Sequence, residues 1–199
     1  LAVLEQLPAA PELVIVDAES RPEVAAAAVD TLAEAGVCAF TGASASALGL
    51  ASSQAAAKYD LAQVFSVGTA EAIVERGLPN VFRFTPGVTK ITAVALENLG
   101  LLNEAAGKPV KTAAIVHEDG PFGSQLAGIV ETELPKLGIE IVEKIAHPTP
   151  HRDFNNIALR VKASKADILI PTNYINEYTL MTRALQQQRV ELMAIYSIL

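Results

Sequence analysis

The chain of 199 residues is 51% hydrophobic and 19% charged, which is typical of a globular protein with a sizeable core and excludes a disordered one. Its net charge of -7 at pH 7, without any cluster of lysine and arginine, argues against a nucleic-acid-binding surface. The apolar runs fall short of the roughly 20 residues that a membrane span needs, and the single cysteine, Cys38, excludes an intramolecular disulfide and a cysteine metal site.

Strand-like and helix-like segments alternate along the chain. Runs of β-branched residues predict strands, and apolar residues at helical spacing predict helices. The predicted strands are 13–17, 37–41, 64–66, 81–85, 112–117, 139–145, 166–171 and 192–199. The predicted helices are the tail 1–7 and the segments 24–35, 47–59, 70–76, 89–102, 125–137, 154–163 and 178–188. This alternation predicts a parallel α/β architecture.

A boundary between two lobes is predicted at Pro86 and Gly87, which stop the strand VFRFT. We therefore expect two doubly wound parallel-sheet lobes. The first is expected to cover residues 1–86 and the second residues 87–199.

Small hydroxyl residues follow the strands of the first lobe. They are Ser44, Ser46, Ser66 and Thr69. Ligands of parallel sheets bind outside the carboxyl ends of the strands, where helix N-termini present unpaired N–H groups. This placement favours a binding site, although Ser and Thr are also ordinary helix N-caps and turn residues.

The second lobe offers Phe122, Asn173 and Tyr174 at its strand ends. Together with the four hydroxyl residues they form a neutral set that lacks a base or a nucleophile. Such a set binds a small polar molecule through hydrogen bonds and helix dipoles. We therefore expect a binding protein rather than an enzyme.

A serine hydrolase is the competing interpretation. The segment GASAS after a strand resembles the nucleophile elbow G-x-S-x-G, with Ser44 as the nucleophile. Its last position is Ser46 instead of glycine. His117 and Asp119 lie two residues apart at one strand end, where they cannot easily align as base and orienting acid.

Metal and cofactor motifs are absent from the sequence. His117 lies in a different loop from His147 and His151, so no metal site is expected. Neither GxGxxG nor GxxxxGKS occurs, so the phosphate cradles of dinucleotides and nucleoside triphosphates are missing. We expect no cofactor.

Several segments resemble, in order and spacing, the periplasmic solute-binding proteins of branched-chain amino acid type ABC transporters. They are SRPEVAAAA, GASAS, GLPNVFRFTP, HEDGPFGS and HRDFNNIALRVKASKADILI. The resemblance implies two doubly wound lobes, joined by hinge strands, that close over a small-molecule ligand. It also implies a membrane permease as partner and a periplasmic or extracellular location.

The same resemblance implies roles for individual residues. Ser46 would bind the ligand carboxylate, and Ser66 and Thr69 would add contacts from the next strand end. Phe122 and Tyr174 would contact the ligand from the other lobe. The spacing leaves open whether Thr69 or Ala70 faces the ligand.

Members of this family extend beyond both ends of the present sequence, so the resemblance implies half to two thirds of a receptor. The acidic residue that binds a ligand ammonium in the family would follow the strand 192–197. The expected ligand is a branched-chain or other aliphatic amino acid, or else an aromatic or aliphatic acid without an amine. A sensory ligand-binding domain remains an alternative, whereas a repressor would need a basic DNA-binding headpiece.

Overall fold

The computed structural model describes residues 11–199, so the helix tail predicted over 1–7 lies outside the described residues. The chain divides into two units. The first runs to Gly68 and includes Ala72–Phe84, and the second comprises Thr69–Glu71 and Thr85–Leu199. That these units act as two separate lobes, divided at residue 86, stays a prediction.

The first unit contains a parallel sheet in the order β1-β2-β3. Pro22 opens its first helix, because a proline at that position gives up only an N–H that would lack an intrahelical partner. The elements are α1 Pro22–Glu34, β1 Ala39–Thr41, α2 Ser46–Ala56, β2 Ala62–Phe65, α3 Ala72–Glu75 and β3 Val81–Arg83.

The strand predicted over 13–17 is wrong. The segment has no ladder partner among the described strands, and Leu13 and Ile15 are 53% and 80% exposed. A β-branched run forms a strand only where a neighbouring strand pairs with its backbone.

The second unit contains a parallel sheet in the order β5-β4-β6-β7. A 3-10 helix over Leu134–Leu137 extends the helix α5. The other elements are α4 Val88–Ala105, β4 Thr112–Glu118, α5 Pro121–Glu133, β5 Glu140–His147, α6 Asn155–Ser164, β6 Ile168–Thr172, α7 Ile175–Gln187 and β7 Ala194–Ile195.

Strand β4 divides its side chains between two cores. Ala113 and Ile115 belong to a cluster with residues of α4 and α5, whereas Ala114 and Val116 belong to a cluster with residues of α6 and α7. This alternation follows from the two-residue period of a strand. The sheet is covered by helices on both faces, and the predicted parallel α/β fold is confirmed.

The last predicted strand, 192–199, is shorter in the structure and pairs only over Ala194–Ile195. Tyr196 continues the contact, because its backbone N–H donates to the Leu169 carbonyl at 2.8 Å. Within residues 11–199, no helix is both long and apolar enough to cross a bilayer.

Candidate functional site

The first predicted site residues lie after β1. Ser44 is exposed in the loop, and Ser46 is the first residue of α2 and only 2% exposed. The N-cap of α2 is Ala45, and no side chain caps this helix. The alternative that one of these serines serves as an ordinary N-cap of α2 is therefore wrong.

A buried glutamine shapes this loop. Gln63 on β2 is fully buried, and its Nε2 donates to the Gly42 carbonyl at 2.7 Å and to Ser52 Oγ at 2.9 Å. A buried amide must find such partners, because leaving them unmade costs free energy. Sequence reasoning missed Gln63, although a glutamine inside an apolar strand is a recognisable signal.

The next loop, after β2, carries the exposed Ser66 and the half-buried Thr69. Gly68 N–H donates to the Ser44 carbonyl at 3.2 Å, so the structure brings the loops of Ser44 and Ser66 together. Thr69 belongs to the second unit, where its carbonyl accepts from Val88 N–H at 2.8 Å. The predicted hydroxyl set is thus divided between the two units.

Helix N-termini differ in how their positive ends are neutralised. An acidic residue lies at the first turn of α1 and α7, and a carboxylate accepts a backbone N–H at the first turn of α4, α5 and α6. The residues are Glu23 for α1, Glu71 for α4, Glu118 for α5, Asp153 for α6 and Glu177 for α7. The first turn of α2, like those of α4, α5 and α6, contains no acidic residue of its own.

Asp153 illustrates the electrostatics of these helix ends. Its Oδ1 accepts from Asn155 N–H at 2.9 Å, and this hydrogen bond lowers the pKa of the Asp153 carboxyl. Positive helix ends favour negative charge in the same way when the anion comes from a ligand. The same electrostatics apply to the N-terminus of α2, whose first turn contains no acidic residue.

Glu118 fills the corresponding position in the second unit. It is buried, and its two carboxylate oxygens accept from Gly120 N–H and Gly123 N–H, each at 2.5 Å. A Cβ on Gly123 would collide with the Glu118 carbonyl oxygen. Because these N–H groups are occupied, the N-terminus of α5 is not open to a ligand carboxylate.

Phe122 and Tyr174 lie together near this helix end. Their ring centroids are 5.7 Å apart with the planes tilted by 37°, and both pack onto the core formed with α4 and α5. Phe122 is buried and Tyr174 is half-buried. The pair forms an aromatic wall at the carboxyl edge of the second sheet.

Asn173 follows β6 and is half-buried. Its Nδ2 is hydrogen-bonded to Nε2 of the buried His147, at the end of β5. Its Oδ1 is buried and has no hydrogen-bond partner in the part of the chain that the structure describes. Sequence reasoning placed Asn173 at this edge but missed its contact with His147.

The structure does not support the hydrolase interpretation of His117 and Asp119. His117 is buried and its Nδ1 lies 2.8 Å from the Glu118 carbonyl oxygen, so a backbone group occupies the ring nitrogen that Asp119 would have to orient. His147 and His151 pack their rings against each other and against Phe154. Among the described residues, no three His, Cys, Asp or Glu side chains are grouped to hold a metal ion.

Known proteins are similar to this chain in sequence. A family profile described as periplasmic binding protein matches residues 12–199. The Leu/Ile/Val-binding protein homolog 7 of Brucella suis is 29% identical over 120 residues, which are 58% of this chain and 30% of that protein.

Solved structures share the fold. A leucine binding protein from Thermotoga maritima has a TM-score of 0.79 at 20% identity, over 92% of this chain and 51% of that one. A solute binding protein of an ABC transporter from R. palustris, in complex with 4-hydroxybenzoate, has a TM-score of 0.77 at 21% identity, over 91% of this chain and 50% of that one. The chain therefore spans about half the length of these solved proteins.

Proposed function

Because the chain belongs to the periplasmic binding protein family, we propose that it is part of the solute-binding component of an ABC transporter and binds a small carboxylate-bearing ligand. The partner is a membrane permease that receives the ligand, and the location is periplasmic or extracellular. The protein binds its ligand without reacting with it, which agrees with the neutral character of most of the candidate contacts.

One observation supports the carboxylate above all. The first turn of α2 contains no acidic residue, whereas α1 and α7 contain one there and carboxylates from outside the helix accept N–H groups at the starts of α4, α5 and α6. An anion at such an end gains about 1 to 2 kcal/mol in a partly buried position. Ser46 adds a hydroxyl at the first position of this helix.

Phe122, Asn173 and Tyr174 are proposed to contact the remainder of the ligand. The aromatic wall suits an apolar side chain or a ring, and the Asn173 amide suits a hydrogen-bonding group. A similar solved protein is named as a leucine binding protein, and another was solved with 4-hydroxybenzoate. We place an aliphatic amino acid first and an aromatic acid second.

Titration calorimetry of the protein with leucine, 4-methylpentanoate and 4-hydroxybenzoate tests this assignment. We expect binding of at least one of these carboxylates, and much weaker binding of leucinamide, which keeps the amine and side chain of leucine but carries no anion. Equal affinity for leucine and leucinamide would remove the basis for the carboxylate site.

Replacing Ser46 by alanine is expected to weaken carboxylate binding about tenfold, which corresponds to ~1.4 kcal/mol. The reason is the loss of a hydroxyl donor at the helix end that is proposed to hold the anion. Ser44→Ala is the matched control, because Ser44 is exposed in the preceding loop. We expect Ser44→Ala to change the dissociation constant less than Ser46→Ala does, and the reverse order would contradict the assignment.

A further inference from the structure

The peptide bond between Asp119 and Gly120 lies in the loop that joins β4 to α5. The sequence contains this one Asp–Gly pair and no Asn–Gly pair. An Asp–Gly pair rearranges more readily than other aspartyl pairs, because glycine has no side chain to hinder attack by its nitrogen on the neighbouring carboxyl group. The loop therefore contains a peptide bond that is open to a self-reaction of the polypeptide.

This self-reaction is a cyclisation followed by hydrolysis. The Gly120 nitrogen attacks Cγ of Asp119, an N–C bond forms, and a carboxyl oxygen leaves as water, which gives a succinimide ring. Water then opens the ring at either carbonyl group. Opening at Cγ restores aspartate, whereas opening at the main-chain carbonyl gives isoaspartate, in which the backbone passes through the side-chain methylene. The water released equals the water taken up, so the product is an isomer of the original chain.

Glu118 holds the attacking nitrogen. It is only 2% exposed, and its Oε2 accepts from Gly120 N–H while its Oε1 accepts from Gly123 N–H, each at 2.5 Å. A carboxylate is too weak a base to remove the proton of a main-chain amide, so the contact keeps the Gly120 N–H intact and directed to Glu118. Hydrogen bonds to an ionised acceptor are among the strong ones, and the attack on Asp119 requires that this one break.

The carbonyl group of the same peptide is held as well. Ser124 Oγ donates to the Asp119 carbonyl at 3.0 Å, and Asp119 N–H donates to the His147 carbonyl at 2.9 Å. The Gly120 nitrogen reaches Cγ of Asp119 only when the peptide plane rotates about the Asp119 Cα–C bond. That rotation breaks the hydrogen bonds to Glu118 and Ser124 together, so the loop must open locally before the ring can close.

The same carboxylate explains why a glycine occupies position 120, the N-cap of α5. A Cβ there would lie 2.5 Å from Glu118 Oε2. Atoms do not approach so closely, so a side chain at this position would displace the carboxylate from the N–H groups that it binds. The contact with Glu118 thus requires the glycine that makes the pair reactive, and it also shields that glycine.

We propose that Asp119–Gly120 is a latent site of isoaspartate formation, which Glu118 and Ser124 keep closed in the folded protein. The inference goes beyond the proposed function and does not depend on the identity of a ligand. Isoaspartate inserts a methylene group into the backbone just before α5, so the N–H groups of Gly120 and Gly123 no longer both reach Glu118. The residues between these glycines in the chain are then displaced.

Peptide mapping with electron-transfer fragmentation measures isoaspartate at position 119 after incubation of the protein below its unfolding midpoint. The native chain in urea gives the rate of the open loop, and we expect the folded native protein to isomerise at least about tenfold more slowly. Glu118→Ala removes both acceptors and is expected to isomerise about tenfold faster than the folded native protein, a factor that corresponds to ~1.4 kcal/mol. Ser124→Ala removes the hydrogen bond to the Asp119 carbonyl and should give a smaller acceleration.

Asp167→Asn is the matched control, because Asp167 accepts N–H groups at the start of β4, the end of that strand remote from the loop. It is expected to isomerise as slowly as the native protein. Equal rates in the folded protein and in urea overturn the proposal, as do equal rates for the native protein and folded Glu118→Ala. Isomerisation of Asp167→Asn as fast as that of Glu118→Ala also overturns it, because general destabilisation would then be the cause. If circular dichroism shows that Glu118→Ala does not fold, Ser124→Ala decides, and a rate no faster than the native one overturns the proposal.

Discussion

Asp167 joins the beginnings of β4 and β6. Its Oδ2 accepts from Lys111 N–H at 2.7 Å and from Thr112 N–H at 2.9 Å, and its own N–H donates to Thr112 Oγ1 at 2.9 Å. The backbone hydrogen bond from Lys111 contributes most to lowering the pKa of the Asp167 carboxyl. The folded protein therefore stabilises the ionised form of this side chain.

Asp167→Asn is expected to lower the free energy of unfolding by about 1 kcal/mol at neutral pH, since hydrogen bonds to a charged group are worth more than those to a neutral one. The folded pKa lies below the unfolded value of about 3.9, so the stabilisation is complete above that value and is lost as the pH falls through the folded pKa. Urea unfolding of the native protein and of Asp167→Asn, at neutral and at acidic pH, measures the stability difference with the Asp167 carboxyl ionised and with it protonated.

The stability difference between the native protein and Asp167→Asn should shrink in acid. Glu34→Gln removes an exposed carboxylate and is expected to change stability by less than ~0.5 kcal/mol at either pH. If Asp167→Asn destabilises the protein equally at both pH values, the ionised Asp167 carboxylate is not the source of the stability difference.

Local and distant contacts explain which site residues the sequence could predict. The position of Ser46 at the start of a helix was predictable because the end of a strand and the start of a helix are visible in neighbouring residues. The contacts of Gln63 with Gly42 and of His147 with Asn173 join residues 21 and 26 positions apart, so they exist only after the loops fold. Glu118 was missed although its partners lie two and five residues away, in the readable pattern EDGPFG.

Helix α2 packs against β2 through a glycine. A Cβ at Gly49 would lie 2.6 Å from Cε1 of the fully buried Phe65 ring. Atoms cannot approach so closely without a shift of the ring or of the helix. Gly49 therefore determines how near the helix lies to the sheet.

Gly49→Ala is expected to destabilise the protein by about 1 to 3 kcal/mol, the usual cost of overpacking a core. The sign is opposite to the gain of about 0.5 to 1 kcal/mol that alanine gives over glycine in an exposed helix. Gly128→Ala in α5 is the matched control, because a Cβ there meets no atom within 4 Å. Thermal unfolding should lower the midpoint for Gly49→Ala and raise it for Gly128→Ala.

Phe65→Leu should recover part of the loss in the double variant with Gly49→Ala, because the smaller side chain leaves room for the added methyl group. If the losses of stability in Gly49→Ala and Phe65→Leu simply add in the double variant, the contact with Phe65 does not determine the cost of Gly49→Ala.

The succession of helices and parallel strands was predictable from hydrophobic periodicity, because each buried helix face and each strand leaves a local pattern. Which strands pair with each other was not predictable. The run 13–17 has the composition of a strand yet has no described ladder partner, and β7 pairs over only Ala194–Ile195. Whether a strand forms depends on a neighbour that the local pattern does not identify.

Strand β3 presents an apolar edge. In the described chain its ladder partner is β2 alone; Phe82 in the strand and Phe84, directly after it, are 54% and 75% exposed. An exposed apolar strand edge can pair with another copy of the same chain. The 199-residue chain is therefore expected to self-associate at high concentration.

Phe82→Lys should reduce this association, because a lysine in an edge strand opposes pairing with a further strand. Sedimentation velocity over a range of protein concentrations measures the effect. Leu101→Lys on α4 is the control, since it removes a comparably exposed apolar side chain from a helix. Equal association of both variants would indicate general surface hydrophobicity instead of strand pairing.

The assignment of Thr69–Glu71 to the second unit has a consequence for dissection of the chain. The polypeptide passes from one unit to the other after Gly68, after Glu71 and after Phe84. A single proteolytic cut after Phe84 leaves an amino-terminal fragment that still contains Thr69 and Glu71 but has lost Val88, Thr89 and Gln125, to which they are hydrogen-bonded. No single cleavage of the backbone separates the two units intact, because segments of both units alternate along the sequence between Gly68 and Thr85.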